Sequence, residues 1–323
     1  VAGHRHGSGG RERGHRPDGA PQALTAAAAL QAGDLVILPT ETVYGLAADA
    51  ANPVAVAKLF EAKGRPRFNP LIAHVTDMAM AAWIAVLDAR ALRLIEAFWP
   101  GPLTLVAPNV DAGLVCDLAR AGLDTVAVRA PAHPVAQGVI AALGRPLVAP
   151  SANRSGRPSC TTFADAVEET GASAAVRLDG GRCAIGLEST VVSLLDGPPR
   201  LLRPGAVTRA EIEALIGPLA EAEADARRSP GRLARHYAPK APVRLDAEGA
   251  RPGEAYIAFG PAADARFNLS PTRDLREAAS RLFSLLRAAD ALQPTAIAVA
   301  PIPETGLGEA VNDRLRRAAG YVG

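Results

Sequence analysis

Four short clusters of hydroxyls, arginines and amides interrupt the apolar runs between residues 39 and 205, with few acids or general bases among them. Side chains of this kind hold anions by charge-assisted hydrogen bonds rather than relay protons. The first cluster, Pro39-Thr40-Glu41-Thr42-Val43-Tyr44-Gly45-Leu46, follows the apolar run Leu35 to Leu38, at a strand end where α/β proteins place ligands. A turn that merely needs Thr and Gly reads equally well there. The second runs from Lys63 through Arg65, Arg67 and Asn69 to His74, and Pro66 and Pro70 fix the shape of its loop. Dipole compensation suits Lys63 at a helix end but does not explain His74 inside an apolar strand, where a lone histidine is more often structural than functional. The double-proline loop is explained by neither. The third, Val148 to Ser159, carries Ser151, Asn153, Ser155, Gly156 and Ser159, small residues that let backbone N–H groups converge on a phosphate. The fourth pairs Glu188-Ser189-Thr190 with Arg203 downstream.

The elements that must position these clusters alternate helical and strand-like patterns from Pro21 onward, with residues 1–20, rich in Gly, His and Arg, read as a disordered tail. His4, His6 and His15 in that tail could bind a metal, but a solvated tail explains them more simply. An alanine-rich helix stops at Gly33. Asn52-Pro53 opens a second helix with an N-cap and a first-turn proline, and it ends near Lys63-Gly64. Apolar runs at Leu71–Val75, Leu103–Ala107, Thr125–Val128, Leu147–Ala149 and Val191–Leu195 predict a largely buried sheet. Thr208 and Glu211 have capping-box spacing, and Gly217-Pro218 closes that helix. Residues 218–240 lack an apolar stripe and read as a linker. Residues 241–323 then predict a smaller α/β domain, whose helix carries Leu275, Ala278, Ala279, Leu282, Leu286 and Ala289 on one face.

Composition bounds the chemistry. The 323 residues suit two domains, and the balance of 35 basic against 33 acidic residues, net +2, argues against a general polyanion binder. Only three of the basic residues are lysines, Lys58, Lys63 and Lys240, which singles out Lys63. No apolar run approaches the ~20 residues of a membrane span, so a soluble, cytoplasmic protein is expected. Cys116, Cys160 and Cys183 are too scattered for a zinc site or a disulfide framework. P-loop, dinucleotide-binding and nucleophile-elbow signatures are missing, and Gly306-Leu307-Gly308 lacks the third glycine of the second of these.

In order between Pro39 and Ala206, PTETVYGL, KGRPxxNPLxxH, WPGPLT, VAVRAP, APSANRSGRPS, LESTVV and LRPGA resemble the threonylcarbamoyl-AMP synthase family of the YrdC-like superfamily. Ser229-Pro230-Gly231, Arg235-His236-Tyr237-Ala238-Pro239 and Asn312-Asp313-Arg314-Leu315 are similar to its longer, two-domain version. The resemblance implies an α/β fold with a twisted mixed sheet and helices over residues 21–217. It further implies a linker, 218–240, covering the site, and a small Rossmann-like α/β domain over 241–323. The implied activity is L-threonylcarbamoyladenylate and pyrophosphate from L-threonine, bicarbonate and ATP, the first step of tRNA threonylcarbamoyladenosine modification. Mg2+ held through the ATP phosphates is implied with it, and so is a downstream tRNA threonylcarbamoyltransferase, with no membrane and no stable nucleic-acid partner.

By the same resemblance, Thr42, His74, Arg129, Ala149 and Ser189 hold threonine, and Arg129 suits a bidentate grip on its carboxylate. Arg65, Asn69, Thr125, Ser151, Ser159 and Arg203 go to ATP, with His236 and Tyr237 capping it. Lys63, Arg65 and Arg129 form the catalytic set, Tyr44 lines the pocket, and no residue is assigned to a metal. Ala47 stands where the family commonly has glycine after the leucine, so a slightly reshaped turn is expected. An RNA-binding module and carbamoyl transfer to a different acceptor are the competing readings. The first lacks aromatic stacking platforms, and the zinc-finger and acylphosphatase-like modules that accompany the second are not found in this sequence.

Overall fold

The computed structural model describes residues 19–110, 113–221, 236–262 and 264–321. The His4, His6 and His15 stretch and the Ser229-Pro230-Gly231 part of the expected linker lie outside the described residues.

In chain order the first lobe contains α1 Gly19–Gln31, β1 Leu35–Leu38, β2 Gly45–Asp49, α2 Pro53–Lys63, β3 Ile72–His74, α3 Met78–Ala81 and α4 Ala89–Phe98. It continues with β4 Leu103–Pro108, β5 Thr125–Arg129, α5 Pro134–Leu143, β6 Leu147–Val148, α6 Phe163–Thr170 and β7 Ala174–Arg177. β8 Thr190–Ser193, β9 Arg200–Arg203, α7 Arg209–Ile216 and β10 Ala220–Glu221 complete it. The second lobe contains β11 Val243–Arg244, β12 Ala255–Ala258, β13 Phe267–Asn268, α8 Leu275–Asp290, β14 Ile297–Val299 and α9 Leu307–Ala319.

Local chemistry sets the boundaries much as the sequence predicts. The Asn52 side chain accepts from the backbone N–H of Val54 and Ala55 at 3.0 and 3.1 Å, and Gly64 closes α2 in the left-handed conformation. Thr208 and Glu211 form the expected capping box at α7. Helix α1 begins at Gly19, two residues before the Pro21 start that the sequence suggests. Pro21 falls in the first helical turn, where a missing N–H costs nothing.

Among the described residues, the first lobe's strands form one mixed sheet in the order β10-β9-β8-β4-β5-β3-β6-β2-β1-β7. The fold is the mixed α/β architecture that the sequence predicts. β2 is a departure, since its Gly, Leu and Ala residues give a weak strand signal. It exists because β1 and β6 flank it antiparallel on both edges. Leu46, Ala47 and Ala48 are therefore extended and fully buried, so the reshaped turn expected at Ala47 is not there and alanine needs no left-handed backbone. The first residues of the expected linker add a strand too, as Ala220–Glu221 pairs parallel to β9.

The second lobe is a parallel sheet, β11-β14-β12-β13, packed against α8 and α9. Its core takes Ala278, Ala279, Leu282, Phe283, Leu286 and Ala289 from α8. Val43 and Leu187 of the first lobe, and Tyr237, bury into that same core. Burying side chains of this size is worth roughly 1.5–3 kcal/mol each, so the lobes share an apolar seam. Charged groups tie it as well: Arg287 of α8 donates to Glu169 of α6 at 2.9 Å and to the Pro158 carbonyl.

At this seam Gly186 has φ of 75° and lies against α8, where a Cβ would meet the Ser280 Cα at 2.6 Å. Gly186→Ala is expected to lower stability by about 1–3 kcal/mol, from overpacking and a left-handed backbone. The check is a drop in urea midpoint together with faster proteolysis between the lobes.

Candidate functional site

The four clusters meet in one hollow at the lobe seam. Thr42 and Val43 come from the β1–β2 connection, Arg65 from the loop after α2, and His74 and Arg129 from the ends of the parallel neighbours β3 and β5. Ala149, Pro150 and Ser151 follow β6, Glu188 and Ser189 precede β8, and Arg203 ends β9. His236 and Tyr237 lie across it.

The first and third clusters are laid side by side by backbone bonds. Tyr44 donates to Cys160, Leu46 to Pro150, and Ala152 back to Tyr44, at 2.7–2.9 Å. This approach needs a glycine at 45, because a Cβ there would sit 2.9 Å from that of Ala149. The Thr40 hydroxyl closes the turn by donating to the Val43 carbonyl at 2.6 Å. That presents the Thr42 hydroxyl to Arg129, which donates to it at 2.9 Å.

Each of the three arginines is held at Nε by a backbone carbonyl. Arg129 donates to Gly101 at 3.0 Å, Arg203 to Ser189 at 3.0 Å, and Arg65 to Asn69 at 3.4 Å. Arg65 also donates to the Pro70 carbonyl at 3.2 Å, which explains the double-proline loop: it turns its carbonyls onto a guanidinium. Arg203 further donates to the Ser189 hydroxyl at 3.1 Å, and that hydroxyl lies 2.7 Å from the Thr104 hydroxyl. Burial lowers Arg65 to about 10, which leaves it charged at neutral pH.

Arg129 is already paired with Glu41. Burial would raise the Glu41 carboxyl, but the charge of Arg129 holds it below its ordinary value. A ligand carboxylate that reaches Arg129 must share it with Glu41 or displace it.

His74 is neutral in this setting. Burial and the neighbouring Arg129 charge push it down to about 3. Its Nδ1 lies 3.0 Å from the Ile72 carbonyl, which can only accept, so Nδ1 carries the proton and Nε2 is left as an acceptor. His236 is driven well below its usual range by burial and by Arg65, Lys63 and Arg203.

Several residues predicted for the site stand behind it. Lys63 is buried and donates to the Ser151 and Asn153 carbonyls, so it ties down the third cluster rather than facing the hollow. Asn69 contributes its carbonyl to Arg65, and Ser159 donates to Glu188. Thr125 opens β5, roughly 13 Å up the strand from Arg129, and is buried against β4. Tyr44 does not line the hollow, because its hydroxyl donates to Gly181 at 2.7 Å and accepts from Gly180 at 3.0 Å. Glu188, named in the fourth cluster, has no role assigned to it from the sequence, yet it lines the hollow. It is a lone acid beside the hydroxyls of LESTVV, and its partner lies 126 residues away.

The donor set does not build a metal site. Among the described residues no three His, Cys, Asp or Glu side chains converge, and Glu188 in the wall of the hollow and Glu41 behind Arg129 are each engaged by an arginine. The residues present therefore do not fit a protein-held Mg2+. No helix among the described residues is long and apolar enough to cross a membrane.

Two family models cover this architecture: the one described as "Telomere recombination" over residues 28–205, and "Threonylcarbamoyl-AMP synthase, C-terminal domain" over 207–320. A threonylcarbamoyl-AMP synthase of Pyrococcus abyssi is 41% identical, over 92% of this chain and 93% of its own length. The chain belongs to the threonylcarbamoyl-AMP synthase family. A Bacillus subtilis member is 38% identical over 93% of both chains. The crystal structure of P. abyssi Sua5 complexed with L-threonine superposes with a TM-score of 0.85, at 40% identity over 93% of this chain and 94% of that one.

His74 supplies a pH test. Its folded value of about 3 lies below the unfolded value near 6.5, so the stability it contributes is complete above pH 6.5 and is lost as pH falls towards 3. In His74→Gln the loss of unfolding free energy between pH 7 and 4.5 is expected to shrink by about 1–2 kcal/mol relative to the parent. Urea titrations at the two pH values measure it.

Proposed function

We propose that this chain makes L-threonylcarbamoyladenylate and pyrophosphate from L-threonine, bicarbonate and ATP. The observation that carries this reading is the set of three guanidiniums pinned at Nε around hydroxyls and a neutral imidazole in one hollow. Such a site fits two anionic reactants, and family membership supplies their identity.

Threonine's free amine adds to the carbon of CO2 and its proton passes to solvent, or it adds to bicarbonate and its proton leaves with the bicarbonate hydroxyl as water; either way a carbamate remains. A carbamate oxygen then bonds to the α-phosphorus as the bond to the bridging oxygen breaks and pyrophosphate leaves. The nucleophile is already anionic, so the protein's task is alignment and charge stabilisation. Thr42, Ser189, Ala149 and Arg129 seat threonine, and Nε2 of His74 accepts a hydrogen bond from it rather than taking its proton. Arg65, Arg203 and Ser151 face the nucleotide, with Lys63, Asn69 and Ser159 holding the groups that do. Mg2+ arrives as the counter-ion of the ATP phosphates.

Residues 21–217 form the catalytic unit in this reading, 218–240 the covering linker and 241–323 the small unit. Support for a cover comes from the space itself. With His236 and Tyr237 in place the hollow is about 50 Å³, enough for one or two waters, so ATP enters only as they move aside. Tyr237 has φ of 63°, and its hydroxyl and Nδ1 of His236 are buried without a hydrogen-bond partner among the described residues. Each such atom costs about 1–3 kcal/mol, which favours displacement by a polar ligand. The product passes to a cytoplasmic tRNA threonylcarbamoyltransferase.

Mass spectrometry of the full reaction is expected to show the labile adenylate together with pyrophosphate release. A folded chain that yields neither rejects the reading. Arg65→Ala and Arg129→Ala should each lower turnover about 100-fold or more while circular dichroism stays unchanged. Near-normal turnover in both places the chemistry elsewhere.

A further inference from the structure

Arg314 belongs to α9 of the second lobe, yet its side chain is wholly buried and reaches the back of the hollow. Its Nε donates to Glu188 Oε2 at 3.1 Å and its Nη2 to the Glu188 carbonyl at 3.2 Å. Its Nη1 donates to the Pro204 carbonyl at 2.7 Å and to Asp313 at 2.9 Å. The guanidinium carbon also stands 5.7 Å from the centre of the Tyr237 ring, within cation–π range.

Glu188 is the acid that lines the hollow, and its charge acts directly on Arg203. Its other oxygen is taken by Ser159. A buried carboxylate cannot stay unpaired. With Arg314 removed, the cations left within its field on the first lobe's side are Arg203 and Lys63, of which Arg203 lines the hollow, and a Glu188–Arg203 pair would cancel the positive charge that an anionic ligand meets. Arg314 also grips the chain on both sides of that arginine's surroundings, at Glu188 beside Ser189 and at Pro204 beside Arg203 itself.

We propose that Arg314 is a positioning residue for the anion-binding hollow: it neutralises Glu188, which leaves Arg203 free to face phosphate. The phosphate in question is that of ATP, so the assignment rests on the function proposed above. The second lobe thereby completes the site electrostatically as well as covering it.

The test uses the full chain and two probes, ATP in isothermal titration calorimetry and inorganic sulfate in thermal unfolding. Arg314→Met is expected to weaken ATP about 10-fold or more, and Arg314→Met combined with Glu188→Gln to bring affinity back to within about 3-fold of the parent, because the double change removes both charges. A merely structural role predicts the opposite order, with the double variant no better than the single one. Unchanged ATP affinity in Arg314→Met, or no recovery in the double variant, overturns the proposal. If Arg314→Met does not fold, Arg314→Lys decides: retained charge should keep affinity within about 3-fold, and a 10-fold loss counts against the role. Should the parent bind no ATP at all, the functional reading falls. Sulfate protection that is present in the parent, lost in Arg314→Met and regained in the double variant still supports the electrostatic role, and equal protection in all three refutes it.

Discussion

Several positive charges held in one nearly dry hollow are the constraint that shapes this protein. A guanidinium taken out of water loses its hydration, and it keeps its charge only if oxygens replace that shell. The chain supplies them from its own backbone, with carbonyls of Gly101, Asn69 and Ser189 on Arg129, Arg65 and Arg203. Carbonyls orient a guanidinium without neutralising it, whereas a carboxylate would do both. The cleft therefore remains electropositive although the protein as a whole is almost neutral, with a net charge of +2. Where carboxylates do approach, Glu188 is taken by Arg314 of the second lobe, whereas Glu41 pairs with Arg129 itself, so a ligand carboxylate must share or displace Glu41 there.

That constraint also accounts for loops that look loosely specified. The proline-bracketed turn after α2 exposes two consecutive carbonyls to Arg65. The Ser- and Gly-rich segment after β6 is anchored from beneath by Lys63, one of only three lysines in the chain. An ammonium suits this task because it is compact and can donate to two diverging carbonyls, where a planar fork fits poorly.

The second lobe is a participant in the same arrangement. A lobe of about 80 residues is at the small end of what folds alone, and here it completes its core with Val43, Leu187 and Tyr237. Two of those residues lie next to Thr42 and Glu188, so the apolar contact that steadies the lobe also holds the loops that carry the site's polar groups. Arg287 and Arg314 act across the same seam.

The sequence by itself determined the alternation of helices and buried strands, the caps at Asn52 and Thr208, the apolar face of α8, and the residues Thr42, Arg65, His74, Arg129, Ser151, Ser189 and Arg203 that meet in the hollow. These were legible because each rests on spacing within a few residues or on a motif. The tertiary structure alone decided that Gly45–Asp49 is a strand, since an Ala- and Gly-rich segment takes that form only when neighbours pair with both its edges. It alone set Lys63, Asn69, Thr125 and Tyr44 behind or away from the hollow. A side chain's type tells what it can bind, while its direction depends on which distant carbonyl or hydroxyl it meets first. Glu188 and Arg314 show the same limit: an acid and a base 126 residues apart become one buried pair only when the second lobe closes on the first, and nothing local in either segment encodes that encounter.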